Sequence, residues 1–192
     1  YPSSINAPVF VPDNSNAFNS SGFFNGASCT GSTCVATGQY YDGSVFRPLL
    51  AVSQDSGVTW TYPSSINAPV FVPDNSNAFS SSGVFNSASC SGCTCLAAGQ
   101  YSDGGATRPL LAVSQDSGAT WTYPSSINAP VFVPDNSNAF SNNGVYNGAS
   151  CAGSTCVVAG RYSDGGATRP LLAVSQNSGA TWTYLSSINA PV

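Results

Sequence analysis

Apolar positions in this chain fall in short runs rather than at helical spacing. Phe23–Cys29 (FFNGASC), Thr33–Tyr41 (TCVATGQYY), Arg47–Ser53 (RPLLAVS) and Thr59–Tyr62 (TWTY) are rich in β-branched, small and aromatic residues, and they predict four consecutive short strands. Asp42-Gly43 separates the second run from the third as a hairpin turn. A turn bounded by two cysteines joins the first run to the second, and Pro63 ends the fourth. No stretch sustains a helical period.

The whole pattern returns every 61 residues. YPSSINAPVFVPDNSNAF occupies Tyr1–Phe18, Tyr62–Phe79 and Tyr123–Phe140, and YLSSINAPV begins again at Tyr184. The chain therefore divides into repeats at residues 1–61, 62–122 and 123–183, with 184–192 opening a fourth. A fixed period of this size predicts copied supersecondary units, each burying an apolar face against the next. The chain reads as a slice of a longer tandem array. In the later copies the hairpin turn becomes Asp103-Gly104-Gly105 and Asp164-Gly165-Gly166. Within the exact segment, Val9–Val11 lies between two prolines and suits an edge or a connection. Asp13–Asn16 follows as a polar turn. It resembles the start of a calcium loop, but the glutamate that closes an EF-hand is missing, so a self-bonded Asx turn is the favoured reading.

Composition narrows the functions. Charged residues make up 6% of the chain, against about a quarter in ordinary soluble proteins, so the surface must be neutral and polar. Four arginines, no lysine and a net charge of −4 leave no basic stripe for a phosphate backbone, which argues against nucleic acid. No run approaches the ~20 apolar residues of a membrane span. His, Glu, Lys and Met are absent, which deprives a serine nucleophile of a base and leaves no ordinary catalytic set.

Cysteines recur as the pairs Cys29/Cys34, Cys90/Cys95 and Cys151/Cys156, with Cys93 left over. One local disulfide per repeat is the favoured reading and implies an extracellular or cell-surface setting. Reduced structural thiols, or a metal cluster of Cys90, Cys93 and Cys95, are the alternatives. Against the metal stand Ser32 and Ser154 at the position of Cys93, and the lack of histidine. No cofactor is expected.

The sharpest motif is the stretch Ser53–Trp60 (SQDSGVTW), repeated as Ser114–Trp121 (SQDSGATW) and Ser175–Trp182 (SQNSGATW). It resembles the Asp-box, or BNR, repeat of sialidases and many other β-propeller proteins, whose pattern is Ser-x-Asp-x-Gly-x-Thr-Trp. The defined positions are Ser53, Asp55, Gly57, Thr59 and Trp60, then Ser114, Asp116, Gly118, Thr120 and Trp121, then Ser175, Asn177, Gly179, Thr181 and Trp182. Only Asn177 departs, keeping an acceptor oxygen without the charge. The resemblance implies a hairpin lock in which the carboxylate accepts backbone N–H groups, glycine supplies an unusual backbone angle and tryptophan packs between sheets. It also implies an all-β fold of tandem four-stranded antiparallel blades, open or completed by another chain.

Sialidase catalysis itself is not expected, because the family's tyrosine nucleophile needs a glutamate partner and the chain has none. Arg47, Arg108 and Arg169 occupy one repeat-equivalent position, which suggests surface pairs with the hairpin aspartates, such as Arg108 with Asp103. The leading expectation is thus a non-catalytic structural segment of a secreted or surface protein that assembles end to end with copies of itself or with neighbouring repeats. The alternative is a lectin-like propeller, completed as a six-bladed dimer, that holds glycans through Tyr40, Tyr101 and Tyr162 with Arg47, Arg108 and Arg169. Those tyrosines equally suit packing between blades.

Overall fold

The computed structural model describes residues 21–41, 43–63, 82–102, 105–124, 143–163 and 166–184. The extended piece Val9–Val11, the polar turn Asp13–Asn16 and their copies lie outside these residues, as do Asp42, Asp103, Gly104, Asp164 and Gly165 of the hairpin turns. The described residues form three antiparallel sheets and no helix. The first contains β1 (Gly22–Thr30), β2 (Thr33–Tyr41) and β3 (Phe46–Ser53). The second contains β4 (Gly83–Ser91), β5 (Thr94–Ser102) and β6 (Thr107–Ser114). The third contains β7 (Gly144–Ala152), β8 (Thr155–Ser163), β9 (Thr168–Ser175) and β10 (Thr183–Tyr184).

The four runs of the sequence pattern thus become an all-β array of blades. The fourth strand is the slightest. In the first two blades it is one bridge, Val52 with Thr61 and Val113 with Thr122, because a proline without an N–H follows two residues later at Pro63 and Pro124. In the third blade the ladder continues to Tyr184 opposite Ala173.

The blades stand side by side through their first strands. β1, β4 and β7 each carry a bulge, with Asn25, Asn86 and Asn147 as the extra residues. A bulge re-aims a side chain, and here the amide reaches the next blade: Asn25 Nδ2 donates to the Phe85 carbonyl at 3.2 Å and Asn86 Nδ2 to the Tyr146 carbonyl at 2.9 Å. Opposite the bulge the backbones crowd together, so that a Cβ at Gly38, Gly99 or Gly160 would run into the carbonyl of Phe23, Val84 or Val145. Serine hydroxyls add further ties, Ser28 Oγ accepting from Cys90 N at 3.0 Å and Ser89 Oγ from Cys151 N at 2.9 Å.

Apolar cores fill the seams. Val35, Leu50 and Val52 of the first blade pack with Phe85, Ala97 and Trp121 of the second. Leu96, Leu111 and Val113 of the second pack with Tyr146, Val158 and Trp182 of the third. The central strands β2 and β5 are buried on both faces, which explains why their sequence reads as a continuous small and apolar run rather than as a strict alternation. In the third blade Tyr146 replaces the phenylalanine of the other two, and its hydroxyl meets that of Tyr184 at 2.8 Å. Burial raises the Tyr184 phenol to about 12.

Candidate functional site

The three Ser-x-Asp/Asn-x-Gly-x-Thr-Trp turns fold alike at one end of the blades. In the first, Asp55 Oδ1 accepts from Thr59 N and from Ser53 Oγ, both at 2.8 Å, and Oδ2 accepts from Thr59 Oγ1 at 2.6 Å. Ser53 Oγ accepts from Gly57 N at 2.8 Å, and Trp60 Nε1 donates to the Gly57 carbonyl at 3.0 Å. The geometry needs left-handed backbone at Ser56 (φ 61°) and Gly57 (φ 87°). The second turn repeats these bonds through Ser114, Asp116, Gly118, Thr120 and Trp121.

Both carboxylates are held below the ordinary range by what they accept. The Thr59 hydroxyl, the Thr59 N–H and the Ser53 hydroxyl bring Asp55 down to about 2. Asp116 is lowered first by the Thr120 hydroxyl and then by the Thr120 N–H. In the third turn Asn177 Oδ1 still accepts from Thr181 N and Ser175 Oγ, each at 2.9 Å, while Nδ2 donates to Thr181 Oγ1 at 2.9 Å. The amide reproduces the lock without a titrating group. Gly179 N and Trp182 Nε1 keep their partners at 2.9 Å.

The turns also lock blade to blade. Gln54 Nε2 reaches the Ser117 carbonyl at 3.5 Å and Gln115 Nε2 the Ser178 carbonyl at 3.0 Å. A Cβ on Gly118 would come within 2.8 Å of Val52 Cγ1, and one on Gly179 within 2.7 Å of Val113 Cγ1. Beside each turn sits a disulfide hairpin, with Ser56 N donating to the Ser32 carbonyl at 2.8 Å. Cys29–Cys34, Cys90–Cys95 and Cys151–Cys156 are bonded between directly opposed strand positions, with Cα atoms 4.1 Å apart. Cys93 is free and exposed. Three disulfides fit an oxidising environment.

Polar groups converge at the opposite end. Between the second and third blades lies a cleft of about 520 Å³ lined by Gln100, Thr107, Asn143, Arg161, Ser163 and Thr168, with Gly144, Val145 and Tyr162. Thr107 N donates to Asn143 Oδ1 across the seam at 3.2 Å. This volume suits a small ligand. Hydroxyls, carboxamides and one guanidinium supply both donors and acceptors.

Tyr40, Tyr101 and Tyr162 are each 1% exposed. Their rings are enclosed between the sheets, and Tyr162 borders the cleft. Arg47, Arg108 and Arg169 lie opposite them in the strand pairing, half-buried. Arg108 with Asp103 cannot be placed, because Asp103 lies outside the described residues. The sequence reading passed over Arg161, Asn143 and Thr107. For Arg161 and Asn143 the signal is a break in the repeat: Arg161 stands where the other copies have Gln39 and Gln100, and Asn143 where they have Ser21 and Ser82, whereas Thr107 is shared with Thr168 and the first copy alone differs, with Phe46.

No family model matches the chain. No curated protein matches it either. Solved structures do. A family 117 glycoside hydrolase from Zobellia galactanivorans matches with a TM-score of 0.53 at 9% identity, over 93% of this chain and 59% of its own. A Hadza microbial sialidase matches with a TM-score of 0.50 at 19% identity, over 82% of this chain and 31% of its own. A Bombyx mori GH32 β-fructofuranosidase gives 0.48 at 17% identity, over 86% and 35%. The first two matches give the chain a β-propeller-like fold, and it spans less than two thirds of each of the three neighbours.

Two expectations are corrected by these neighbours. The non-catalytic structural segment assembling end to end is withdrawn, because the blades match those of carbohydrate-active propellers. The exclusion of an enzyme is withdrawn with it, since glycoside hydrolases are built on this fold. The missing residue types describe a chain that spans 59% and 31% of the first two neighbours above, so they do not decide the chemistry of a whole propeller.

Proposed function

We propose that this chain is the Asp-box wedge of a carbohydrate-recognising β-propeller, with saccharide held in the cleft between the second and third blades. The observation that carries the reading is that cleft, in which six polar side chains converge at the end away from the locked turns. Sugar hydroxyls donate and accept at once, and the lining offers hydroxyl and carboxamide groups that do the same. The matches to a glycoside hydrolase and a sialidase support the reading at the level of fold.

Three further features belong to the proposal. Each 61-residue repeat supplies one blade, with the ring completed by blades beyond these three. The turns at Asp55, Asp116 and Asn177 are Asp-boxes with a structural role, supported by their bonding to their own hairpins and to the next blade. The protein is secreted or displayed at a surface, supported by its three disulfides. A glycan array probed with the 192-residue chain tests the central reading. Saccharide binding that is weakened by Thr107→Phe, at unchanged melting temperature, is the expected result. No binding across the array would overturn it.

A further inference from the structure

Departures from the repeat mark the second seam. The three copies are so alike that a chemically different residue at an otherwise constant position stands out, and two such residues, Asn143 and Arg161, fall together around the cleft. Asn143 replaces Ser21 and Ser82, Arg161 replaces Gln39 and Gln100, and Thr107 stands where the first copy has Phe46. At the first seam the corresponding wall is aromatic, Phe46 lying 5.4 Å from the ring of Tyr41 in a tilted contact. The second blade has Ser102 and Thr107 at those two positions.

Arg161 decides what the cleft prefers. It is one of four arginines and the one that breaks the 61-residue spacing of the other three. Its side chain is exposed, and among the described residues it has no ion-pair partner. Among the described lining it is also the only charged residue. A guanidinium offers a planar fork of donors that fits carboxylate or sulfate oxygens in pairs. The neighbouring carboxamides and hydroxyls can bind the ring hydroxyls of the same ligand.

We propose that the cleft between the second and third blades selects saccharides bearing an anionic group, carboxylate or sulfate, and that Arg161 is its specificity-determining residue. The inference rests on the glycan-binding reading above and goes beyond it in naming the ligand class. A single binding position per chain follows, because the first seam has glutamine and phenylalanine where the second has arginine and threonine.

Titration calorimetry of the 192-residue chain with oligogalacturonate, chondroitin sulfate oligosaccharide and a neutral galactan oligosaccharide tests it. At least one acidic probe is expected to bind about tenfold more tightly than the neutral one, the scale of a charge-assisted hydrogen bond. That advantage shrinks as salt rises. Arg161→Gln installs the residue of the other two repeats, so it is expected to keep the melting temperature while losing the preference. Comparing the two acidic probes separates carboxylate from sulfate recognition. Equal binding of acidic and neutral probes, or a preference that survives Arg161→Gln, overturns the inference and leaves glycan binding standing. Binding of none of the probes by a chain that does bind neutral glycans on an array also overturns it, whereas no binding on the array removes both readings.

Discussion

Asn25 and Phe85 are sixty residues apart, yet the amide of the first donates to the carbonyl of the second at 3.2 Å. The bond exists because a bulge in β1 leaves Asn25 outside the ladder and turned toward the next blade. Asn86 repeats it to Tyr146 at 2.9 Å. Together they fix the spacing of the first strands and so the width of each seam, including the one that holds the cleft.

Loss of that clasp should loosen the seam. Asn86→Ala removes a part-buried bond and is expected to cost about 1 kcal/mol. Urea denaturation of the variant checks the value, and an unchanged midpoint would mean that the clasp is dispensable.

The three tryptophans of the repeated turn are not equivalent. Trp121 and Trp182 are each 4% exposed and sit in seam cores, whereas Trp60 is only half-buried. Trp121→Ala should cost about 3–5 kcal/mol, and Trp60→Ala clearly less. Equal losses in thermal melts would contradict the assignment of seam faces.

Acid should act on the first two turns and spare the third. Asp55 is held at about 2 against an ordinary 3.8, and Asp116 is lowered as well. A depressed carboxylate contributes stability that is present above the unfolded value and lost as pH falls through the folded one. Melting temperature should therefore decline between pH 4 and 2, in the window set by Asp55. Asn177 does not titrate. Asn177→Asp should steepen that decline while leaving stability at pH 7 equal or higher, and melts across this range read both effects.

Oxidised protein should carry one reactive thiol. Cys93 is exposed and free, while the other six cysteines form three disulfides. Alkylation of the folded, unreduced chain should add one label, at Cys93. Labelling of the paired cysteines would remove the disulfide frame and the oxidising setting it supports.

Much of the blade is legible in the sequence, because its cues are local. Strand runs such as Thr33–Tyr41 keep their predicted bounds as β2, since they are closed at one end by a cysteine turn and at the other by Asp-Gly. The hydrogen-bonded turn from Ser53 to Trp60 is likewise written in residues that bond to one another. Burial of Tyr40, Tyr101 and Tyr162 was harder to read. An aromatic residue at a strand end serves a seam or a ligand equally well, and the choice depends on where the next blade stands. The cleft was overlooked for a related reason. Its walls come from two repeats, and reading each repeat alone hides Arg161 facing the seam shared with Gln100 and Thr107.

The most direct test of the cleft is amide chemical-shift mapping on the 192-residue chain with an oligosaccharide that binds it. The account predicts shifts concentrated at Thr107, Asn143, Arg161, Ser163 and Thr168, with the turns around Asp55, Asp116 and Asn177 unmoved. Shifts confined to those turns, or spread equally over both seams, would contradict it.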